Sequence, residues 1–274
     1  MTALAMLELE RVETRVLGAL AVVDATTGTR VPDGLALQPM PGARLQRNRS
    51  GLWVIAHVDA LAAHEAAFAA APATPPLGSV ALTLRIDDTL GRYLPRLATV
   101  ALPRDPAPVA PGTDPSATSL FAPATLSLYP AANARTGANW ATLRVTVTES
   151  HAGDALGGAV LLVSVGGNVV ARGVSDWRGE ALVAVPGVPV TTWSDDPGAV
   201  TVNEIAAQVQ LVFDASAGTR VPASQVAAGT APAALPCVDP DAIEAHAATL
   251  PNATKATTLA TGRSQPLSLT LALP

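Results

Sequence analysis

Residues 144–187, RVTVTESHAGDALGGAVLLVSVGGNVVARGVSDWRGEALVAVPG, carry the clearest structural pattern in the chain. Apolar and polar residues alternate at the start, and the apolar run Ala159–Val165 precedes a Gly-Gly-Asn turn. Alternation with a period of two is typical of a half-buried strand, and a short apolar run between turn residues is typical of a buried one. The pattern predicts strands at Trp140–Thr148, Ala159–Val165, Val169–Val174 and Glu180–Val185.

Similar patterns continue on both sides of this stretch. They predict further strands at Thr14–Val23, Leu52–Val58, Val80–Asp87, Tyr93–Leu102 and Pro266–Leu273. Val200–Phe213 is predicted as a strand, although Glu204–Gln208 also fits a helical turn. Asp239 followed by Pro240 is a helix start signal, and Asp59–Ala71 is either a second short helix or a loop. We therefore predict an all-β fold with one or two short helices.

A proline-rich segment divides the chain into two parts. Proline fixes φ and lacks an N–H, so the prolines between Pro103 and Pro130 keep this segment out of the middle of a sheet. We predict two β-sandwich modules, residues 1–102 and 139–274, joined by a proline-rich extended segment at 103–138. That segment is either a linker or an arm on a neighbouring subunit. The apolar anchors of such an arm are Leu120, Phe121, Leu126, Leu128 and Tyr129.

Two nine-residue segments are similar to each other: Asp24–Pro32 reads DATTGTRVP and Asp214–Pro222 reads DASAGTRVP. Each follows an apolar run, so one interpretation is a strand that ends in the same turn. The other interpretation is chance similarity in an alanine-rich chain. A looser parallel in the spacing of turn glycines, with Gly28 to Gly51 matching Gly153 to Gly179, suggests that the two modules are related.

The composition excludes several classes of protein. The 274 residues are 49% hydrophobic and only 14% charged, which is not the composition of a disordered chain. The formal net charge is −5, and the basic residues, with Lys255 the single lysine, are scattered along the sequence. Nucleic-acid binding needs clustered basic residues, so we expect no nucleic-acid partner and no binding to an anionic membrane.

The sequence also predicts the cellular compartment in which the chain is made. The N-terminal residues do not form a basic segment followed by an apolar stretch, and no uncharged apolar window reaches about 18 residues. We therefore expect synthesis in the cytoplasm without a signal peptide, and no membrane insertion. Cys237 is the single cysteine, which excludes an intrachain disulfide and predicts a passive thiol.

No arrangement of residues predicts an enzyme. The chain has four histidines, none of them in an HExxH motif: His57, His64, His151 and His246. A metal pair at His57 and His64 is the alternative to surface or partly buried histidines. Asp87-Asp88 and Asp195-Asp196 lie at turns, where Asp binds backbone N–H groups, and a calcium loop is the alternative there. We expect no catalytic residue, no metal and no cofactor.

The four tryptophans stand out in a chain with only 3% aromatic residues. Trp53 and Trp140 are expected in the core, whereas Trp177 lies in a predicted turn, Asp176–Gly179. A tryptophan at a loop tip is typical of a contact surface for protein or sugar. The predicted contact residues are Trp177, Arg178, Trp193, Phe121 and Tyr129.

Residues 144–187 resemble a carboxypeptidase regulatory-like domain. The pattern of that family is a strand, G-x-x-L-x-G-A-x-V, a hairpin, S/T-D-x-x-G and a closing apolar strand. The matching residues are Gly153, Leu156, Gly158, Ala159 and Leu161, then Ser175, Asp176, Gly179, Leu182 and Val183. The resemblance implies a transthyretin-like β-sandwich and no particular activity. Thr14–Val58 matches more weakly, which implies two Ig-/transthyretin-like modules.

The whole chain is similar, more weakly, to accessory structural proteins of phage tails and contractile injection particles. That resemblance implies a non-enzymatic assembly component of a virion or of a contractile tail or injection machine, in the baseplate, the tail or a surface decoration. Its partners would be other protein subunits, copies of itself included. The alternative is a stand-alone carbohydrate- or surface-binding module with Trp177 and Trp193 as sugar platforms.

Overall fold

The computed structural model describes residues 15–67, 74–188 and 204–273. It is mostly β, with 46% of residues in strands and 8% in helices. The strands are β1 Gly18–Asp24, β2 Leu35–Pro39, β3 Ala43–Arg47, β4 Trp53–Val58, β5 Val80–Asp88, β6 Arg96–Leu102, β7 Ala124–Leu128, β8 Ala141–Glu149, β9 Ala155–Gly157, β10 Val160–Val165, β11 Asn168–Val174, β12 Glu180–Val185, β13 Glu204–Val212, β14 Thr219–Val221, β15 Asn252–Ala260 and β16 Ser264–Leu271. The helices are α1 Ala62–Ala66, α2 Ala223–Ala227 and α3 Pro240–Ala245.

The β-rich structure agrees with the all-β prediction. Around the stretch first quoted, β8 pairs antiparallel with β12, and β10 pairs antiparallel with β11. Residues 204–212 form a strand and not a helical turn, because β13 is hydrogen bonded to β10 on one side and to β15 on the other. Ala207, Val209 and Leu211 are buried along β13, which is the period-two pattern of a strand.

The sequence pattern does not predict β9, β14 or α2. β9 lies inside a predicted turn, and the other two lie in an alanine- and proline-rich stretch. β14 pairs antiparallel with β9, so each of these three-residue strands depends on a partner far away in sequence. The described residues therefore hold three short α-helices instead of one or two. None of these helices is long and apolar enough to span a membrane.

The chain divides into two compact units, each built from segments that are distant in sequence. Unit 1 contains the described residues of 1–20, 40–82 and 100–124, and unit 2 contains those of 21–39, 83–99 and 125–274. Four strands, β1, β5, β6 and β7, contribute residues to both units. The module boundaries predicted from the sequence, at 102/103 and 138/139, stay predictions.

In unit 1, β3 and β4 form an antiparallel hairpin, and Gly18 of β1 lies opposite Ile55 of β4. Farther along the chain, the buried side chain of Arg104 organises the residues that follow β6. Its guanidinium donates to three backbone carbonyl oxygens, those of Ala117 at 2.5 Å, Ser119 at 3.0 Å and Ala122 at 3.1 Å. Burial lowers the pKa of Arg104. Residues 104–122 of the proline-rich segment therefore fold back onto one arginine.

Unit 2 contains two sheets that contribute to one buried core. One sheet has the order β11-β10-β13-β15, and in the other β8 lies between β12 and β16 and also borders β9. β16 runs parallel to β8, with Leu267 opposite Val145. Elsewhere in this unit β2 pairs antiparallel with β5. Strands of both large sheets supply the core side chains, among them Leu143, Val145, Leu161, Val163, Val183, Val209, Leu211 and Leu269.

The two similar nine-residue segments share the same pair of turn hydrogen bonds. Oδ1 of Asp24 accepts the N–H two residues later at 2.7 Å, and Oδ1 of Asp214 does the same at 2.9 Å. The backbone oxygen of each aspartate also accepts the N–H of the glycine four residues later, at 2.9 Å from Gly28 and 2.8 Å from Gly218. The interpretation of both segments as a strand followed by one kind of turn is therefore confirmed.

Candidate functional site

The turn that carries Trp177 is fixed by Asp176. Oδ1 of Asp176 accepts the backbone N–H groups of Arg178 at 2.8 Å and Glu180 at 3.0 Å, and Oδ2 accepts from Arg178 Nη2 at 2.9 Å. The guanidinium of Arg178 lies 5.9 Å from the centre of the Trp177 ring, which is a cation–π distance. Trp177 and Arg178, both predicted contact residues, therefore lie side by side on a turn that is fixed by hydrogen bonds.

Trp177 is half-buried and lines a small groove of mainly apolar side chains. Its neighbours in the groove are Leu94, Pro95, Leu235 and Pro236. Leu235 is 47% exposed. Contiguous exposed apolar surface is typical of interaction sites. We call these five residues the Trp177 patch.

The other predicted contact residues lie in different settings. Phe121, in unit 1, is 60% exposed, whereas Tyr129, in unit 2, is only 3% exposed and packs in a core cluster with Val160 and Leu162. A partner cannot reach the Tyr129 ring, because the apolar strand residues around it keep it buried. Trp193 lies outside the described residues. Trp53 and Trp140, expected in the core, are both half-buried.

Arg96 is a buried cation that sequence reasoning missed. Its side chain is 2% exposed, donates to the backbone oxygen of Ser127 at 2.7 Å, and forms ion pairs with Asp239 at 3.2 Å and Asp241 at 2.7 Å. Asp239 also caps α3, as the sequence predicts, by accepting the N–H of Asp241. Arg96 therefore joins β6 to the start of α3, and these bonds give it a structural role.

His57 lies between two carboxylates in unit 1. Its Nδ1 lies 2.7 Å from Oε2 of Glu65, and its Nε2 lies 2.9 Å from Oδ1 of Asp59. The hydrogen bonds to Glu65 and then Asp59 raise the pKa of His57. Asp59 does not cap the following helix, since α1 begins after a 3-10 turn with no side-chain cap.

His64 lies in a different setting from His57, whose two ring nitrogens are hydrogen bonded to carboxylates. His64 is buried, its Nδ1 makes no hydrogen bond to any described residue, and burial lowers its pKa. Among the described residues, no group of three or more histidine, cysteine, aspartate or glutamate side chains is arranged to hold a metal ion.

Asp88 confirms the turn interpretation of the first acid pair. Its carboxylate is buried and accepts the backbone N–H groups of Arg92 at 2.7 Å and Tyr93 at 3.2 Å, and a bond from the Arg92 guanidinium at 3.0 Å. Burial opposes the charge, but the bonds from Arg92 outweigh it and lower the pKa of Asp88. Asp87 pairs with Arg85 at 2.8 Å. The second pair, Asp195-Asp196, lies outside the described residues.

Glu149 is a second polar centre that the sequence did not reveal. Its side chain is 3% exposed and accepts the backbone N–H groups of His151 at 2.8 Å and Ala152 at 2.6 Å, and a bond from Arg220 at 3.3 Å. The bonds from Ala152 and His151 lower the pKa of Glu149 to about 2. The available signal was a glutamate directly before a turn, but Arg220 lies too far away in sequence to be connected with it.

A cleft of about 470 Å³ in unit 2 was also not predicted. Its volume lies within the range of small-molecule sites, about 300–1,000 Å³. The side chains that line it include Tyr93, Asn133, Arg135, Trp140, Leu182 and Ala184. Tyr93 donates its hydroxyl proton to Oδ2 of Asp24 at 2.7 Å, and burial and then this bond raise the pKa of Tyr93.

Comparison with known proteins identifies no relative whose functional residues could be compared with these sites. No family model, no curated protein and no solved structure matches the chain. The resemblance to carboxypeptidase regulatory-like domains therefore stays a prediction made from the residues of 144–187.

Proposed function

We propose that this chain is a non-enzymatic assembly component of a large particle, namely a phage virion or a contractile tail or injection machine. Its partners are other protein subunits, copies of this chain among them. The observation that carries the proposal is the Trp177 patch together with the adjacent Arg178, because Asp176 holds Trp177 and Arg178 on a turn that is fixed by hydrogen bonds.

The chemistry of this patch suits protein contact. Tryptophan and arginine are the residues most enriched at the energetic centres of protein interfaces. The bonds from Asp176 already order the turn, so binding would cost little conformational entropy there. Leu235, 47% exposed in the free chain, supplies further apolar area for a partner to cover.

Strand edges support the same proposal. β11 is the last strand of its sheet, and its residues Val169 and Val170 are 39% and 43% exposed. An exposed edge strand can pair with a strand of another chain through backbone hydrogen bonds. Phe121 in unit 1, 60% exposed, is a second apolar contact on the described surface.

The proposed architecture is two Ig-/transthyretin-like β-sandwich modules. Support for the C-terminal module comes from the core of unit 2, to which strands of both large sheets contribute. The carboxylates that the sequence singled out for chemistry are used in structural bonds where they are described, as at Asp88. This use supports a structural protein over an enzyme.

Sedimentation of a native lysate from the source, followed by mass spectrometry of the fractions, tests the proposal. We expect the chain to pellet with a megadalton particle. Recovery only in the light fractions, as a monomer, would contradict an assembly role and favour the stand-alone binding module.

A substitution then tests the Trp177 patch. Trp177→Ala is expected to lower the amount of chain in the particle, because it removes the aromatic anchor. Leu77→Ala, at a 57% exposed leucine of unit 1, serves as the matched control. Equal particle incorporation of both variants and the wild type would exclude the patch as the contact.

A further inference from the structure

The unit 2 cleft has an apolar floor and one aromatic wall. Leu182 and Ala184, on one face of β12, and Pro130 are buried residues that line it. Trp140 lies against Gly137: a Cβ on Gly137 would be 2.8–3.0 Å from three atoms of the indole ring. The near-equal distances place Gly137 over one face of the ring, so this glycine sets the position of the Trp140 wall.

The cleft is held in shape by hydrogen bonds on both sides of the loop that carries Trp140. The N–H of Ala131 donates to the backbone oxygen of Arg92 at 2.9 Å. Arg144 of β8 donates to the backbone oxygen of Ala132 at 2.9 Å. Because these bonds fix the backbone where the loop begins, ligand binding would cost less conformational entropy there.

Some polar side chains of the cleft are already hydrogen bonded or ion paired within the protein, and others are not. Arg92 is bound to Asp88 and Asp33, and Asp24 accepts from Tyr93. By contrast, within the described part of the chain the side chains of Arg135, Asn133 and Thr136 make no hydrogen bond or ion pair. The cleft therefore presents one unneutralised guanidinium, one amide and two hydroxyl groups, those of Thr136 and Thr26, beside an apolar floor.

We propose that this cleft binds an acidic saccharide, such as a uronic or sialic acid. A pyranose ring has an apolar face of C–H groups, which matches Trp140 and the floor formed by Leu182 and Ala184. Its hydroxyl groups suit Asn133 and Thr136, which can both donate and accept. The sugar carboxylate pairs with Arg135, whose planar guanidinium favours carboxylates. This site is independent of the proposed assembly role.

Isothermal titration calorimetry of the full chain tests the proposal. The probes are sodium D-glucuronate and N-acetylneuraminate, with D-glucose and sodium acetate as the neutral-sugar and carboxylate-only controls. We expect the two acidic sugars to bind and each control to bind at least about tenfold more weakly. Glucose lacks the carboxylate that pairs with Arg135, and acetate lacks the ring and hydroxyl groups that contact the rest of the cleft.

Substitutions inside and outside the cleft test whether the acidic sugars bind there. Arg135→Ala should weaken glucuronate binding about tenfold or more without changing the fold, because this exposed side chain has no bond to lose. Gly137→Ala should also weaken it, by displacing the indole. Arg263→Ala, at a 74% exposed arginine outside the cleft, should bind as the wild type does.

Three results would exclude an acidic-saccharide site at this cleft, and a fourth would exclude the selectivity for acidic sugars. The three are the absence of binding for both acidic sugars, equal binding of acetate, and unchanged affinity in Arg135→Ala. Equal binding of glucose would show a neutral-sugar site and contradict the role given to Arg135.

Discussion

At the scale of single residues, Gly28 and Gly218 occupy the same position of the shared turn for different physical reasons. Gly28 has φ +68° and open space where a Cβ would lie. Gly218 lacks such a φ, but a Cβ there would collide with the Phe213 ring and lie 2.9 Å from the backbone oxygen of Gly157. Gly28 is therefore needed for its backbone conformation, and Gly218 is needed because a side chain would not fit there.

Substitution separates these two roles. Gly28→Ala should lower the free energy of unfolding by about 1–2 kcal/mol through left-handed strain, and Gly28→Asn should recover part of that loss, since Asn tolerates this conformation. Gly218→Ala should cost about 1–3 kcal/mol by overpacking, and Gly218→Asn should cost more. Urea unfolding of the four variants measures the differences. Recovery of stability in Gly218→Asn would contradict the steric explanation.

Glu149 predicts a pH dependence. Its pKa in the folded chain is about 2, below the ordinary value of 4.5. The charged form is therefore favoured by folding, so its contribution is complete above about pH 4.5 and is lost as the pH falls toward 2. Glu149→Gln should lower the free energy of unfolding at pH 7 and bring it close to that of the wild type near pH 2.

The control is an exposed carboxylate. Glu204 is 47% exposed and pairs with Arg263 at 3.3 Å, and such surface pairs contribute little to stability. Glu204→Gln should therefore follow the wild-type curve in urea unfolding from pH 7 to pH 2. A wild-type and a Glu149→Gln curve that stay parallel over this range would contradict the role given to Glu149.

At the scale of elements, α3 is too short to be stable alone and is held by two arginines. Arg96 is 2% exposed and pairs with the capping residue Asp239, which is itself 14% exposed. Arg172 of β11 pairs with Glu244 through two bonds, at 2.6 and 2.7 Å, but both side chains are more exposed. The two pairs join the same helix to different strands, one in a buried setting and one near the surface.

The Arg96–Asp239 pair should contribute more to the free energy of unfolding than the Arg172–Glu244 pair. Arg96→Met is expected to lower the free energy of unfolding by about 3 kcal/mol, because the mostly buried carboxylate of Asp239 loses its partner. Arg172→Met, the matched control on the same helix, should cost about 1 kcal/mol or less. Urea unfolding and hydrogen exchange of the α3 amides measure both effects. Equal losses in the two variants would show that burial does not distinguish the pairs.

Local sequence patterns predict the strands and helices whose hydrogen bonds join neighbouring residues. They do not predict the elements that depend on partners far away in sequence. β10 and β11 follow from an apolar run and a glycine turn, and the α3 start follows from Asp239 and Pro240. β9 and β14 have only three residues each; they pair with each other, and β9 also pairs with β8 at one position. The same distinction separates the features of the candidate site that the sequence predicts from those that it does not. The Trp177 turn is local and was predicted, whereas the cleft joins side chains from four distant segments.

At the scale of the whole molecule, two core clusters among the described residues of unit 2 depend on different parts of the chain. Every buried residue of the larger cluster lies between Ala141 and Leu271. The smaller cluster, which packs under α3, also needs Tyr129, with Ala25 and Leu94 at its edge. Arg96, the main anchor of α3, likewise lies outside residues 139–274. The predicted C-terminal module thus contains all buried residues of the larger cluster and all but Tyr129 of the smaller one.

A fragment of residues 139–274 should therefore fold, but with a loosened α3. Its larger core is intact, so we expect a cooperative thermal transition with a lower midpoint than the full chain. The α3 amides should exchange much faster than in the full chain, because Tyr129 and Arg96 are missing, while those of β10 and β13 stay protected. Circular dichroism and hydrogen exchange measure the two outcomes. An unfolded fragment would show that the larger core is not sufficient and that the boundary at 138/139 is wrong. Full protection of α3 would show that Arg96 and Tyr129 do not hold it.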